Sequence, residues 1–131
     1  MPKRSLAKPL GAALAWLALV PQLLVLYLPD PHGLAAGLDL PYADKAVHAF
    51  VFALAAGLWA AVSGRVWLVG ALFAAHAVVS EVVQATWLPQ RSGDPWDVAA
   101  DLAGIAFGLW LAARPALLWR RPRPTTPGQG R

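Results

Sequence analysis

The sequence has no cysteine, and only 14% of its 131 residues are charged. Without cysteine, the chain cannot form disulfides, thiolate nucleophiles, iron–sulfur clusters or cysteine-ligated zinc sites. Soluble domains are roughly 25% charged, whereas this chain is 58% hydrophobic. The composition therefore excludes an ordinary water-soluble globular protein.

The charges that are present are unevenly distributed. The chain has a net charge of +4, and eight of its eleven Lys and Arg residues lie before Leu10 or after Ala113. All seven acidic residues lie between Asp30 and Asp101, so the middle of the chain has a net charge of −4. Basic ends around an acidic, apolar middle are typical of membrane proteins with cytoplasmic termini, and not of nucleic-acid-binding proteins.

Four apolar stretches, at about 10–28, 46–62, 66–88 and 98–113, are candidate membrane-spanning helices, and the first, with 19 uncharged residues, is long enough to cross the hydrocarbon core. We therefore predict an all-α bundle of four transmembrane helices, in a domain over 1–121, with both termini in the cytoplasm. The short link at 63–65 predicts a helical hairpin. The composition of residues 122–131, which is rich in Pro, Thr, Gly and Arg, predicts a disordered basic tail. The alternative for the first stretch is a signal peptide, but it is longer than a usual signal-peptide core and lacks a small-x-small site at its end.

Polar residues inside these stretches are costly and therefore informative. They recur at helical spacing, so each of the last three helices should carry one polar face. Given the predicted orientation, these faces should meet near the outer surface of the membrane. Gly104 and Gly108 share the face of Asp97 and Asp101, and this small-xxx-small spacing predicts close helix packing. The polar residues and glycines fall in three motifs: Asp44-Lys45-x-x-His48, Glu81-x-x-Gln84 and Arg91-x-x-Asp94-x-x-Asp97-x-x-x-Asp101-x-x-Gly104-x-x-x-Gly108.

In their order and spacing, these motifs make the segment from Asp44 to Gly108 similar to the VanZ-like family. One departure is Asp101, where that family usually has Asn. The resemblance implies a small multi-pass protein of the bacterial cytoplasmic membrane. The founding member is associated with resistance to the glycopeptide antibiotic teicoplanin, so the resemblance also implies a role in glycopeptide resistance and the cell envelope.

We expect the polar residues to form an outward-facing pocket that binds an envelope component or an antibiotic. The excess of acids should favour a cationic or hydrogen-bonding ligand over a bare phosphate. We expect the lipid bilayer as a partner, and no nucleic acid, cofactor or metal. The ligand and the oligomeric state stay open. The predicted ligand-binding residues are Asp44, Lys45, His48, Glu81, Gln84, Arg91, Asp97 and Asp101.

Two other functions fit the same residues. The first is an enzyme that acts on a lipid-linked envelope substrate, with His48 or Glu81 as general acid or base. The second is a structural membrane scaffold in which the polar residues only hold the helices together. No hydrolytic metal motif or nucleophile-elbow motif accompanies the polar residues to favour catalysis.

Overall fold

The structure is a computed structural model that describes residues 7–28, 42–88 and 93–114. The secondary structure in these ranges consists of four helices: α1 (Ala7–Tyr27), α2 (Ala43–Ser63), α3 (Val66–Trp87) and α4 (Pro95–Ala113). The predicted all-α fold with four helices long enough to span a membrane is confirmed. The helix ends lie within three residues of the predicted ones. The predicted disordered tail at 122–131 lies outside the described residues.

The connection between α2 and α3 is as short as predicted, and glycine makes it possible. Gly64 follows the last residue of α2 with φ of 68°, in the left-handed region that other residues rarely adopt. Its backbone N–H donates to the carbonyl of Ala60, 2.9 Å away, which closes the last turn of α2. The chain then reverses direction, and α3 begins at Val66.

The central helix of the bundle is α2, which packs most extensively against α4 and next against α1. Gly104 and Gly108 lie directly against the backbone of α2, where a Cβ atom would overlap the carbonyl oxygens of Ala49 and Ala53. Side chains from all four helices fill the core around Phe52. The buried hydrophobic cluster consists of Leu26, Val51, Phe52, Ala56, Ala60, Val69, Ala77 and Ile105.

The two ends of the bundle differ in charge. We call the end where α2 and α4 begin the polar end, because the described acidic residues lie there. We call the opposite end, where α1 begins and α4 finishes, the basic end. The described cations at the basic end are Lys8, Arg65 and Arg114, and the described acids at the polar end are Asp44, Glu81, Asp94, Asp97 and Asp101.

Most of the helical surface is exposed although it is apolar. Only 17–33% of the most apolar window of each helix is buried inside the bundle. A four-helix bundle in water would bury its hydrophobic faces. Exposed tryptophans lie near helix ends, including Trp67 at 91%, Trp87 at 78% and Trp96 at 72% exposure, as in the aromatic belts of membrane proteins. The chain is therefore a multi-pass membrane protein.

We predict that Gly104→Ala destabilises the bundle by about 2 kcal/mol or more, because the new methyl group would force the backbones of α2 and α4 apart. Thermal unfolding in detergent, followed by circular dichroism, measures this loss. Gly70→Ala is the matched control, since its Cβ would meet only the flexible end of Leu109 at 2.9 Å. Equal melting temperatures for the two variants would contradict the prediction.

Candidate binding site

Lys45 connects α2 to the beginning of α4 through carboxylates. Its Nζ atom lies 2.8 Å from Asp94 Oδ2, 3.0 Å from Asp97 Oδ1 and 3.1 Å from Asp44 Oδ2. The Lys45 side chain is only 22% exposed. A single ammonium has three N–H donors, so these contacts use its full hydrogen-bonding capacity. Lys45 thus holds together the outer layer of a polar cluster.

The inner layer lies one helical turn deeper. His48 Nδ1 is 3.0 Å from Asp101 Oδ1, and both side chains are buried between α2 and α4. A carboxylate beside one ring nitrogen fixes the orientation of an imidazole, because that nitrogen must carry the donated proton. The same helix pair therefore carries a lysine–carboxylate layer above a histidine–carboxylate layer.

Glu81 brings α3 into the same cluster. Its Oε1 atom accepts a hydrogen bond from the backbone N–H of Asp94, just before α4. Glu81 also lies within electrostatic range of His48, Asp97 and Asp101. The chain can approach α3 here because residue 93 is glycine, whose Cβ would lie 2.8 Å from the Cβ of Ala85.

Asp94 has two roles at the start of α4. Its Oδ1 accepts from the backbone N–H of Trp96 at 2.9 Å, which caps the helix, while Oδ2 binds Lys45. The Lys45 ammonium, followed by the Trp96 N–H, holds the pKa of this carboxyl below its ordinary value. Asp94 is therefore both the N-cap of α4 and a member of the outer layer.

Two carboxylate oxygens of the inner layer have no hydrogen-bond partner among residues 7–28, 42–88 and 93–114. They are Glu81 Oε2 and Asp101 Oδ2, on side chains that are 9% and 0% exposed as residues. A buried polar atom without a partner costs about 1–3 kcal/mol, and more when it is charged. The cluster therefore has acceptor positions that a hydrogen-bond donor could fill. The buried side-chain atoms without a partner among the described residues are Gln22 Oε1, Trp59 Nε1, Glu81 Oε2 and Asp101 Oδ2.

The structure brings six of the eight predicted site residues into this cluster. Gln84 is buried but faces α1, where its Nε2 donates to the carbonyl oxygen of Leu26 at 2.9 Å. Carbonyl groups in the last turn of a helix have no N–H partner within that helix. The Leu26 carbonyl is one of these, and Gln84 supplies its hydrogen bond. Arg91 lies outside the described residues. The six that come together are Asp44, Lys45, His48, Glu81, Asp97 and Asp101.

Sequence analysis did not identify the polar contacts that hold α1. Gln22 is fully buried, and its Nε2 lies 3.5 Å from His76 Nδ1 on α3. The Tyr27 hydroxyl lies 3.1 Å from His76 Nε2. The sequence did contain a signal for these contacts. Gln22 is an uncharged polar residue inside a long apolar stretch, and such a residue usually faces another helix.

The described residues include no group of three or more His, Asp and Glu side chains arranged to hold a metal ion. Ser80 is buried, and its hydroxyl donates to the carbonyl oxygen of Ala77 at 2.9 Å. Comparisons with protein-family models, with curated proteins and with solved structures gave no match. The functional conclusion therefore depends on the geometry of the cluster and on the motifs in the sequence.

We predict that Lys45→Met and Asp97→Asn are coupled, because each removes the partner of the other. Their combined loss of stability should differ from the sum of the single losses by about 0.5–3 kcal/mol. Denaturation in detergent of wild type, the two single variants and the double variant gives this coupling energy. The control cycle pairs Asp97→Asn with Lys8→Met at the opposite end of the bundle, and it should be additive. Additivity in both cycles would contradict the geometry.

We predict that the stabilising charge of Asp94 is lost in acid. Because the folded pKa is lowered, this contribution is complete above the ordinary carboxyl pKa of about 3.9 and disappears as pH falls through the folded value. Asp94→Asn removes the charge but keeps a good N-cap residue. The difference in melting temperature between wild type and Asp94→Asn should be constant from about pH 5 to 7 and should shrink below about pH 4. A difference that grows in acid would contradict the assignment.

Proposed function

We propose that this chain is a VanZ-like protein of the bacterial cytoplasmic membrane whose polar cluster binds an envelope component or antibiotic through a cationic or hydrogen-bond-donating group. The observation that carries the proposal is a pair of buried carboxylate oxygens, Glu81 Oε2 and Asp101 Oδ2, that have no partner in the part of the chain that the structure describes. A donor group from a ligand would satisfy both. Binding of such a ligand would explain why two acidic residues lie in the interior of an otherwise apolar bundle.

The charge of the cluster supports the same class of ligand. Among the described residues, the cluster contains five carboxyl groups and one lysine, and the sequence adds Arg91. An acidic site repels phosphates and attracts amino groups. The proposed ligand therefore presents an ammonium, a hydroxyl or an amide N–H to Glu81 and Asp101.

The distribution of charge supports an outward-facing site. Lys8, Arg65 and Arg114 lie at the basic end, which the positive-inside rule assigns to the cytoplasm. The cluster would then open toward the outer surface, where envelope precursors and glycopeptides meet the membrane. The resemblance to the VanZ-like family adds a role in teicoplanin resistance to this proposal.

The scaffold alternative is favoured by Lys45, whose three donors are already taken by Asp44, Asp94 and Asp97. In a purely structural cluster, the charged side chains bind one another in this way and leave no donor on the lysine for a ligand. The enzyme alternative is favoured by His48, since a carboxylate-oriented imidazole is a common general base. Both alternatives are distinguished by the experiment below.

We predict that teicoplanin binds the wild-type protein in lipid nanodiscs and that Glu81→Gln weakens binding by about tenfold or more. The reason is that the substitution removes one of the charges proposed to receive the ligand's donor group. Microscale thermophoresis with labelled protein measures the affinity. Asp101→Asn introduces the residue usual in the VanZ-like family, and we expect a smaller loss. Asp44→Asn is the charge-matched control, because its carboxylate is 59% exposed and contacts only Lys45 among the described ion pairs.

The outcomes separate the three functions. Equal affinity of wild type and Glu81→Gln, or no binding to wild type, would refute the proposed ligand site. Conversion of a lipid-linked cell-wall precursor, lost in His48→Ala and detected by mass spectrometry, would favour the enzyme. A scaffold predicts that polar substitutions lower the melting temperature, with teicoplanin resistance of cells following protein level alone.

A further inference from the structure

An apolar groove of about 380 Å³ runs between α2 and α4 on the surface of the bundle. Its lining on α2 begins at Phe50, two residues after His48, and continues to Ala61 near the basic end. Leu54 and Leu58 form one wall, Phe107 and Leu111 form the other, and Gly57 and Gly108 lie at its floor.

Glycine creates the groove. A Cβ atom on Gly57 would lie 3.1 Å from the carbonyl oxygen of Gly108, so the two backbones are nearly in contact at the floor. Large side chains on both sides rise above this floor. The result is a trough that follows the helix axes and not a gap between loosely packed helices.

The length of the groove matches one leaflet of a membrane. Its lining on α2 extends from Phe50 to Ala61, which corresponds to roughly 16 Å at about 1.5 Å per residue. This is about half of a hydrocarbon core of roughly 30 Å. One extended acyl chain that starts at the headgroup level of the basic end would therefore fill the groove as far as the bilayer centre.

A cation, Arg114, follows the last lining residue on α4, Ala112, by two positions toward the headgroup level of the basic end. Phe107, Leu111 and Arg114 follow each other at spacings of four and three residues, so they lie on one face of α4. The guanidinium carbon of Arg114 lies 3.6 Å from the centre of the Trp110 ring. Stacking on an aromatic ring uses the face of a guanidinium and leaves its in-plane N–H donors for a phosphate.

We propose that this groove binds an anionic phospholipid from the leaflet at the basic end, with one acyl chain between α2 and α4 and its phosphate on Arg114. The apolar walls, the leaflet-length trough and the stacked cation at one end each match one part of such a lipid. The proposed phosphate position on Arg114 lies at the opposite end from the polar cluster, and no lining residue belongs to that cluster, so the proposal is independent of the function proposed for the cluster.

The test measures lipid retention by native mass spectrometry. The full-length protein is reconstituted in nanodiscs of equal parts phosphatidylglycerol and phosphatidylcholine and then released into the gas phase. Wild type should keep one phosphatidylglycerol in preference to phosphatidylcholine. Ala61→Phe places a ring in the groove and should remove the retained lipid. Arg114→Gln should reduce the preference for phosphatidylglycerol by about fivefold.

Two controls match these changes. Ala71→Phe adds the same ring to an exposed alanine of α3, and Lys8→Gln removes a cation from the same end of the bundle. Both should retain lipid as wild type does. If Ala61→Phe unfolds, Arg114→Gln alone decides. Equal retention of the two lipids by wild type would overturn the proposal, as would wild-type preference in Arg114→Gln. A dimer that Ala61→Phe abolishes would assign the groove to a second copy and also overturn it.

Discussion

The close approach of α2 and α4 determines the rest of the structure. Where Gly104 and Gly108 meet the backbone carbonyls of Ala49 and Ala53, the two helices are locked in one register. Near that contact, the same register places His48 beside Asp101. The glycines and the acids therefore lie on the same stripe of α4, and the packing of the glycines sets the position of the acids. A shift of one residue between α2 and α4 would separate the polar pairs that join them.

The polar cluster shows how an apolar bundle can keep charged residues in its interior. In its outer layer, each of the three carboxylates contacts the Lys45 ammonium. Its inner layer is only partly paired, because Glu81 and Asp101 each keep one oxygen to which no described residue donates a hydrogen bond. Desolvation makes the inner layer the more costly one. This difference between the layers is the reason that we place the proposed ligand at the inner one.

The sequence predicted much of this arrangement because helical periodicity is a local property. Span lengths gave the four helices, and the spacing of Lys45, His48, Asp97 and Asp101 placed them on facing stripes. Spacing could not show which helices would be neighbours. Gln84 was therefore grouped with Glu81, although it bonds to the end of α1. The capping role of Asp94 was not predicted, although an aspartate immediately before a proline is typical of a helix N-terminus.

The contacts of α1 have a consequence for biosynthesis. Gln22 and the carbonyl of Leu26 find their partners on α3, 54 and 58 residues later in the chain. Chains are made from the N-terminus, so the first helix is synthesised well before those partners exist. Until α3 has been made, Gln22 and the Leu26 carbonyl lack the partners that they have in the folded bundle. The polar contacts of α1 are therefore complete only after α3 has been synthesised as far as Gln84.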